Sequence, residues 1–221
     1  MQTTIIGDTN QCVAVQMTSG DEITADVGTL VLLSDGITLE AATHGPGTAG
    51  APHLAVNARV PLTHFRSIAS LGVVTFAAPC AGEVRKVEVQ GGTWLCARDS
   101  LLFCSHEVVT TVGMVHGIAN GCFRDDNCIL YRLGGHGTAY IHCGGSAIEY
   151  DLAPGQRVSV DAGCVAAYQD TVEATIEKVQ GLTCSQGRPH ALDLITLTGP
   201  GKIHLATLPP SRIAQMARHL K

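Results

Sequence analysis

Apolar side chains alternate with polar ones on either side of a Pro-Gly turn in AIEYDLAPGQRVSVDAGCVAAYQD, residues 147–170. Ile148, Tyr150 and Leu152 form one alternating segment, and Val158, Val160 and Ala162 form the next. Alternation with a period of two predicts half-buried strands. Pro154 presets φ for the second position of a type II turn, and Gly155 accepts the positive φ of the third. The stretch is therefore predicted to be a β-hairpin, closed by Asp161-Ala162-Gly163 and a short apolar run.

The same unit occurs earlier. Subtracting 135 carries Thr138, Ile141, Gly155, Asp161, Gly163 and Asp170 onto Thr3, Ile6, Gly20, Asp26, Gly28 and Asp35 without a gap. Leu152, Val158 and Val172 land on Met17, Ile23 and Ile37, so the apolar face is kept. Adding 72 to the first copy places Gly20 on Gly92, Ala25 on Ala97, Leu30 on Leu102 and Ile37 on Val109. In that middle copy Arg98 replaces Asp26 and Ser100 replaces Gly28. Corners repeat as well: Ser70-Leu71-Gly72-Val73, Gly135-His136-Gly137-Thr138 and Gly199-Pro200-Gly201-Lys202 lie 65 and 64 apart, each leading into a strand.

Fixed spacing of this kind is the signature of a repeat architecture. The expected fold is all-β: a single domain of three tandem β-hairpin repeats about a pseudo-threefold axis, forming a β-sandwich or double-stranded β-helix-like body. The repeats span about 1–62, 63–126 and 127–190, with closing strands at 191–209. Strands in the first repeat are expected near 3–6, 12–17, 23–27, 29–33 and 36–42, with a loop-like stretch over 44–62. Further strands are expected at 64–69, 73–77 and 83–89. After Pro209-Pro210-Ser211, Ile213, Met216, Ala217 and Leu220 recur at helical spacing and predict a short C-terminal helix over 210–220.

Eight positions read as turn chemistry: Gly20, Asp26, Gly28, Gly92, Pro154, Gly155, Asp161 and Gly163. An Asp two residues before a Gly accepts backbone N–H groups that a bend leaves unpaired. Three further pairs, His44-Gly45, His116-Gly117 and Gln180-Gly181, are spaced by 72 and 64 and each is expected to open a loop. About a threefold axis these loops would emerge at one end of the body, which makes them the candidate binding face.

Composition narrows the function. A net charge of −5 and 4% aromatic residues weigh against a nucleic-acid surface, which needs a basic patch and stacking rings. Charged residues at only 15%, with 25 glycines, suit a β-rich chain that covers surface by self-association. The nine cysteines form no C-x-x-C pair and read as small buried hydrophobes in a reducing compartment. The N-terminal MQTTIIGDTNQ has neither signal-peptide nor transit-peptide character, and no apolar run approaches membrane-spanning length. These features predict a soluble intracellular protein.

Catalytic and metal chemistry are not written in the spacing. There is no H-x-H pair of the cupin type, and His142 and His204 occupy only near-equivalent places in two repeats. Cys104-Ser105-His106 sets thiol and imidazole close in sequence, yet local pairs of this kind specify no active site by themselves. Gly144-Gly145-Ser146-Ala147 lacks the second flanking glycine of a nucleophile elbow, and no phosphate-binding glycine loop is present. No catalytic residue, metal ligand or cofactor is assigned.

DLAPGQRVSVDAGCVAAYQDTV, the GPGKIHLATLP ending and the Gly-started loops resemble the altered-inheritance-of-mitochondria protein 24 family. The resemblance covers essentially the whole chain and is strongest over 130–209. It implies a fold similar to the tryptophan RNA-binding attenuator protein and assembly into a homo-oligomer, a trimer being the expected form. Eukaryotic members are associated with mitochondrial inner-membrane organisation, and prokaryotic members carry no assigned chemistry. The leading expectation is a non-enzymatic homo-oligomeric scaffold or interaction protein that engages a partner protein or a membrane surface. It is placed in the cytoplasm, or alternatively peripheral to the mitochondrial inner membrane. The alternatives are a cupin-like container for a small molecule or metal, and an RNA-binding ring by fold analogy.

Overall fold

A computed structural model describes residues 1–41, 62–113, 130–183, 189–210 and 212–213. The protein is all-β, and every strand pair below is antiparallel. The first strands are β1 (Gln2–Ile6), β2 (Cys12–Met17), β3 (Glu22–Ala25), β4 (Leu30–Leu33) and β5 (Ile37–Ala41), with a 3-10 turn at Val27–Thr29. Next come β6 (Thr63–Ser67), β7 (Gly72–Ala77), β8 (Gly82–Gln90), β9 (Trp94–Ala97), a 3-10 turn at Arg98–Ser100, β10 (Leu101–Ser105) and β11 (Val108–Gly113). The rest is β12 (Leu130–Gly144), β13 (Ala147–Leu152), β14 (Arg157–Asp161), a 3-10 turn at Ala162–Cys164, β15 (Val165–Gln169), β16 (Glu173–Thr183), β17 (Pro189–Thr198) and β18 (Gly201–Ala206).

Pairing recurs in two forms. One is β2–β7–β4, β8–β12–β10 and β13–β18–β15; the other is β3–β6–β5, β9–β12–β11 and β14–β17–β16. The register in the first form follows the sequence offsets, with Cys12 opposite Ala77, Val84 opposite His142, and Ala147 opposite Ala206. Two further pairings, β3 with β10 and β9 with β15, join one unit to the next.

The expected hairpin at 153–156 needs correction. The turn itself is as anticipated: Gln156 N–H donates to the Ala153 carbonyl at 2.9 Å, and Gly155 has φ 75°. The strands it joins do not pair with each other, because β13 lies against β18 and β14 against β17. The turn instead bonds to the neighbouring corner, Gly155 N–H to the Gly199 carbonyl at 3.1 Å and Gly199 N–H to the Gln156 carbonyl at 2.9 Å. Gly20 and Asp21 make the same kind of link to Ser67, at 2.9 and 3.0 Å. Two chain segments thus change sheets together, each strand keeping a non-local partner, and alternation alone cannot name that partner.

In the middle of the chain the two-strand corner is replaced by the single 15-residue β12. Its first half lies with β9 and β11, its second with β8 and β10. Gly135 (φ 90°) and Gly137 (φ 151°) occur where it passes between them. A Cβ on Gly135 would stand 2.6 Å from the Glu107 carbonyl oxygen, so only glycine fits.

The core is built from the inward faces of these strands. Phe65 packs edge-on against Phe76, Phe76 stacks on Phe103, and Phe103 stacks on Tyr140, with centroids 5.3, 5.2 and 4.5 Å apart. At the C-terminal end, Arg212 and Ile213 N–H groups donate to the Pro209 carbonyl at 3.0 and 3.4 Å, one helical turn. The rest of the helix expected over 210–220 lies outside the described residues.

Candidate functional site

The two repeated aspartates act on backbone. Asp26 Oδ1 accepts from Gly28 N–H at 2.8 Å, and Asp161 Oδ1 accepts from Gly163 N–H at 3.0 Å, each capping a 3-10 turn. Asp161 Oδ2 also receives the Arg212 guanidinium at 3.2 Å. Ala97 occupies the cap position before the Arg98–Ser100 turn, which has no side-chain cap. Pro154 and Gly155 build the turn described above, and Gly20 (φ 91°) takes the corresponding left-handed place. In the middle copy the left-handed residue is Gly91 (φ 76°), whereas a Cβ on the expected Gly92 would meet open space.

Of the candidate loop residues, His44, Gly45, His116 and Gly117 lie outside the described residues. Gln180 and Gly181 lie inside β16 rather than at the opening of a loop. Its pairing with β17 shifts between Val179 and Leu182, and Gly181 has φ 78° there. That geometry is a β-bulge, in which an extra residue bends a strand without ending it.

A cavity of about 60 Å³ is lined in part by Cys80, Asp99, His142, Tyr168 and Pro210. His142 and Tyr168 are buried, and neither His142 Nε2 nor the Tyr168 hydroxyl has a hydrogen-bond partner among the described residues. Burial holds the His142 pKa below its usual value, against a backbone hydrogen bond at Cys80. Burial pushes Tyr168 up to about 12 and also raises the Cys80 thiol, with Asp99 adding to the rise. At neutral pH the cavity presents an uncharged imidazole, a thiol and a phenol, so no thiolate nucleophile is formed. The volume has room for a few ordered waters.

His204 is buried in a tilted stack on Trp94, centroids 5.4 Å apart, with Nδ1 3.9 Å from Glu149 Oε2. Its pKa is lowered by burial, which outweighs the Glu149 charge. No group of three or more His, Cys, Asp or Glu that could hold a metal ion occurs among the described residues. No helix among them is long and apolar enough to cross a membrane.

Among the described residues, two strand edges stand out. β4 ends the sheet β1–β2–β7–β4, and β14 ends the sheet β14–β17–β16. Val31, Leu32 and Leu33 of β4 are 62, 48 and 37% exposed. The strands at corresponding places, β10 and β15, are almost wholly buried. Ile148 and Tyr150 on β13 are likewise exposed, although their counterparts Val13 and Val15 on β2 are fully buried. The sequence signal was the unbroken apolar run Leu30-Val31-Leu32-Leu33, which reads as a strand covered on both faces.

No curated protein matches the chain. Among solved structures, the crystal structure of protein SPYM3_0169 from Streptococcus pyogenes superposes with a TM-score of 0.74 at 15% identity, covering 100% of this chain and 99% of that one. At that identity the likeness shows a common fold. The model of one protein family, described as mitochondrial biogenesis AIM24, matches residues 3–208. With nearly its whole length matched, the chain belongs to the mitochondrial biogenesis AIM24 family.

Proposed function

We propose that the protein is a non-enzymatic scaffold that works as a homo-oligomer of three copies, each contributing three tandem repeated units. The single observation that carries this reading is the exposure of Val31, Leu32 and Leu33 on a strand that ends its sheet. An apolar, unpaired edge is an aggregation hazard in a monomer, and a second copy laid against it removes the hazard. The recurrent register of Cys12–Ala77, Val84–His142 and Ala147–Ala206 supports the repeated units.

On this reading the face bearing His44, Gly45, His116 and Gly117 engages a partner protein or a membrane surface, while Gln180 and Gly181 belong to the bulged strand β16. The family's description as mitochondrial biogenesis supports a site peripheral to the mitochondrial inner membrane; composition supports the cytoplasm. Native mass spectrometry of the protein purified gently from its own cells tests the reading. A trimer is expected, with lipid or a partner chain retained on it. A bare monomer at micromolar concentration overturns it.

A further inference from the structure

The two junctions inside the chain have the same construction. In the first, β3 pairs with β10, with Thr24 opposite Cys104; in the second, β9 pairs with β15, with Cys96 opposite Ala167. A third junction of this type would set β14 against β4, and both of these strands end their sheets among the described residues.

The chain therefore ends each run of units with one half of a junction. β14 is the strand that the next unit's edge would cover, and β4 is the edge that a preceding unit would cover. We infer that β14 of one copy pairs antiparallel with β4 of the next, repeating between copies the junction that the chain makes twice within itself. The inference rests on the homo-oligomeric reading above and specifies its interface.

Both internal junctions give the same register. Matched by the bulge that β4, β10 and β15 each make against their partners, Cys104 less 71 and Tyr168 less 135 each give Leu33, while Thr24 plus 135 and Leu95 plus 64 each give Ser159. Leu33 of one copy thus stands opposite Ser159 of the next, with Leu32 opposite Val160. The sheet formed would run β1–β2–β7–β4 in one copy and on through β14–β17–β16 in the other.

Burial points the same way. β3 and β9, the strands that receive a neighbour, are mostly buried, whereas β14 alternates between exposed and half-buried. In the first core the neighbouring unit supplies Leu102 and Phe103, which pack with Val13 and Val15. Their counterparts in the first unit, Val31 and Leu32, would reach Ile148 and Tyr150 of the adjoining copy by the same construction. Two exposed apolar patches at opposite ends of the chain would then cover each other. Because donor and acceptor edges differ, the contact is head-to-tail, and a rotation that closes gives a ring. Main-chain pairing provides the affinity and the side chains the register.

The test is disulfide trapping with Leu33→Cys and Ser159→Cys, each made as a single variant and the two co-expressed in one cell. Both side chains are exposed, so the fold tolerates the changes, and far-UV circular dichroism checks this. After mild oxidation, a shift of up to about half of each chain from the monomer band to a linked two-chain band is expected, since random co-assembly sets each substituted edge against the other variant half of the time. Each variant expressed alone should show only the background of the native cysteines. Thr4→Cys, on the outer edge of the same sheet as β4, should not link to Ser159→Cys.

Absence of linkage above background, while the wild-type protein remains oligomeric by native mass spectrometry, overturns this interface and leaves the scaffold reading standing. A wild-type monomer overturns both. An internal disulfide in the doubly substituted Leu33→Cys/Ser159→Cys chain, without linkage between chains, means that the chain closes on itself and also overturns the inference.

Discussion

The ring of Phe103 lies 4.5 Å from that of Tyr140 and only 13° from parallel, and the Tyr140 hydroxyl meets Thr3 Oγ1 at 2.5 Å. One stack thus links β10, β12 and the N-terminal strand. Phe103 is fully buried, so Phe103→Ala removes packing and leaves a cavity, at a cost of about 3–5 kcal/mol. Tyr140→Phe keeps the stack and loses one hydrogen bond, for about 0.5–1.5 kcal/mol. Urea unfolding of both variants measures the two losses, and equal losses would refute the division.

Asp26→Ala and Asp161→Ala each remove a carboxylate that caps a 3-10 turn, and each should cost about 0.5–2 kcal/mol. Asp161→Ala also breaks the pair with Arg212, which is largely solvent-exposed and adds little. Arg212→Ala should therefore lie within about 0.5 kcal/mol of wild type. Thermal melts of the three variants rank them, and an Arg212→Ala loss matching Asp161→Ala would show that the ion pair, not the cap, stabilises this corner.

His142 and His204 have folded pKa values held below the ordinary value of 6.5, in both cases mainly by burial. Above pH 6.5 both folded and unfolded states are neutral at these rings, and they add no pH dependence. As pH falls below 6.5, the unfolded chain takes up protons that the folded chain refuses. Stability is therefore full above that pH and declines as the folded values are approached from above. Urea midpoints should be flat between about pH 7 and 8 and fall toward about pH 5, and His204→Gln should make the decline shallower.

The thiols of Cys96, Cys104 and Cys143 are buried, and burial raises all three, Cys104 and Cys143 to about 12. Thiolate is the reactive form, so a maleimide at pH 7.5 should leave these three unmodified in the folded protein. Denaturation should expose them to full labelling, read by peptide mass mapping. Rapid native labelling at Cys104 would contradict the buried core drawn around it.

Local structure was legible wherever chemistry and position coincide. Gly155 sets its own φ and Asp161 bonds two residues ahead, so both turns could be read from four or five residues. Matching Met17 with Leu152, at an offset of 135, placed β2 on β13 without error in register. Partner choice was not legible in the same way. Alternation at 148–152 and 158–162 states which side chains share a face, but says nothing about whether the adjacent strand is the next one in sequence. The apolar run at β4 reads the same whether its cover comes from the same chain or from another copy. Neither the buried His142 nor the cavity beside it carried a spacing that would mark it, because its lining comes from segments far apart in sequence.

β12 belongs to two sheets at once, pairing with β9 and β11 through one half and with β8 and β10 through the other. Elsewhere a corner separates those two tasks between different strands. Without that joint, the amides on either side of Gly135 and Gly137 cannot be released independently, and an opening that frees one half loosens both arrays. The middle of the molecule should therefore open as a single cooperative block, with slow hydrogen exchange extending evenly along β12.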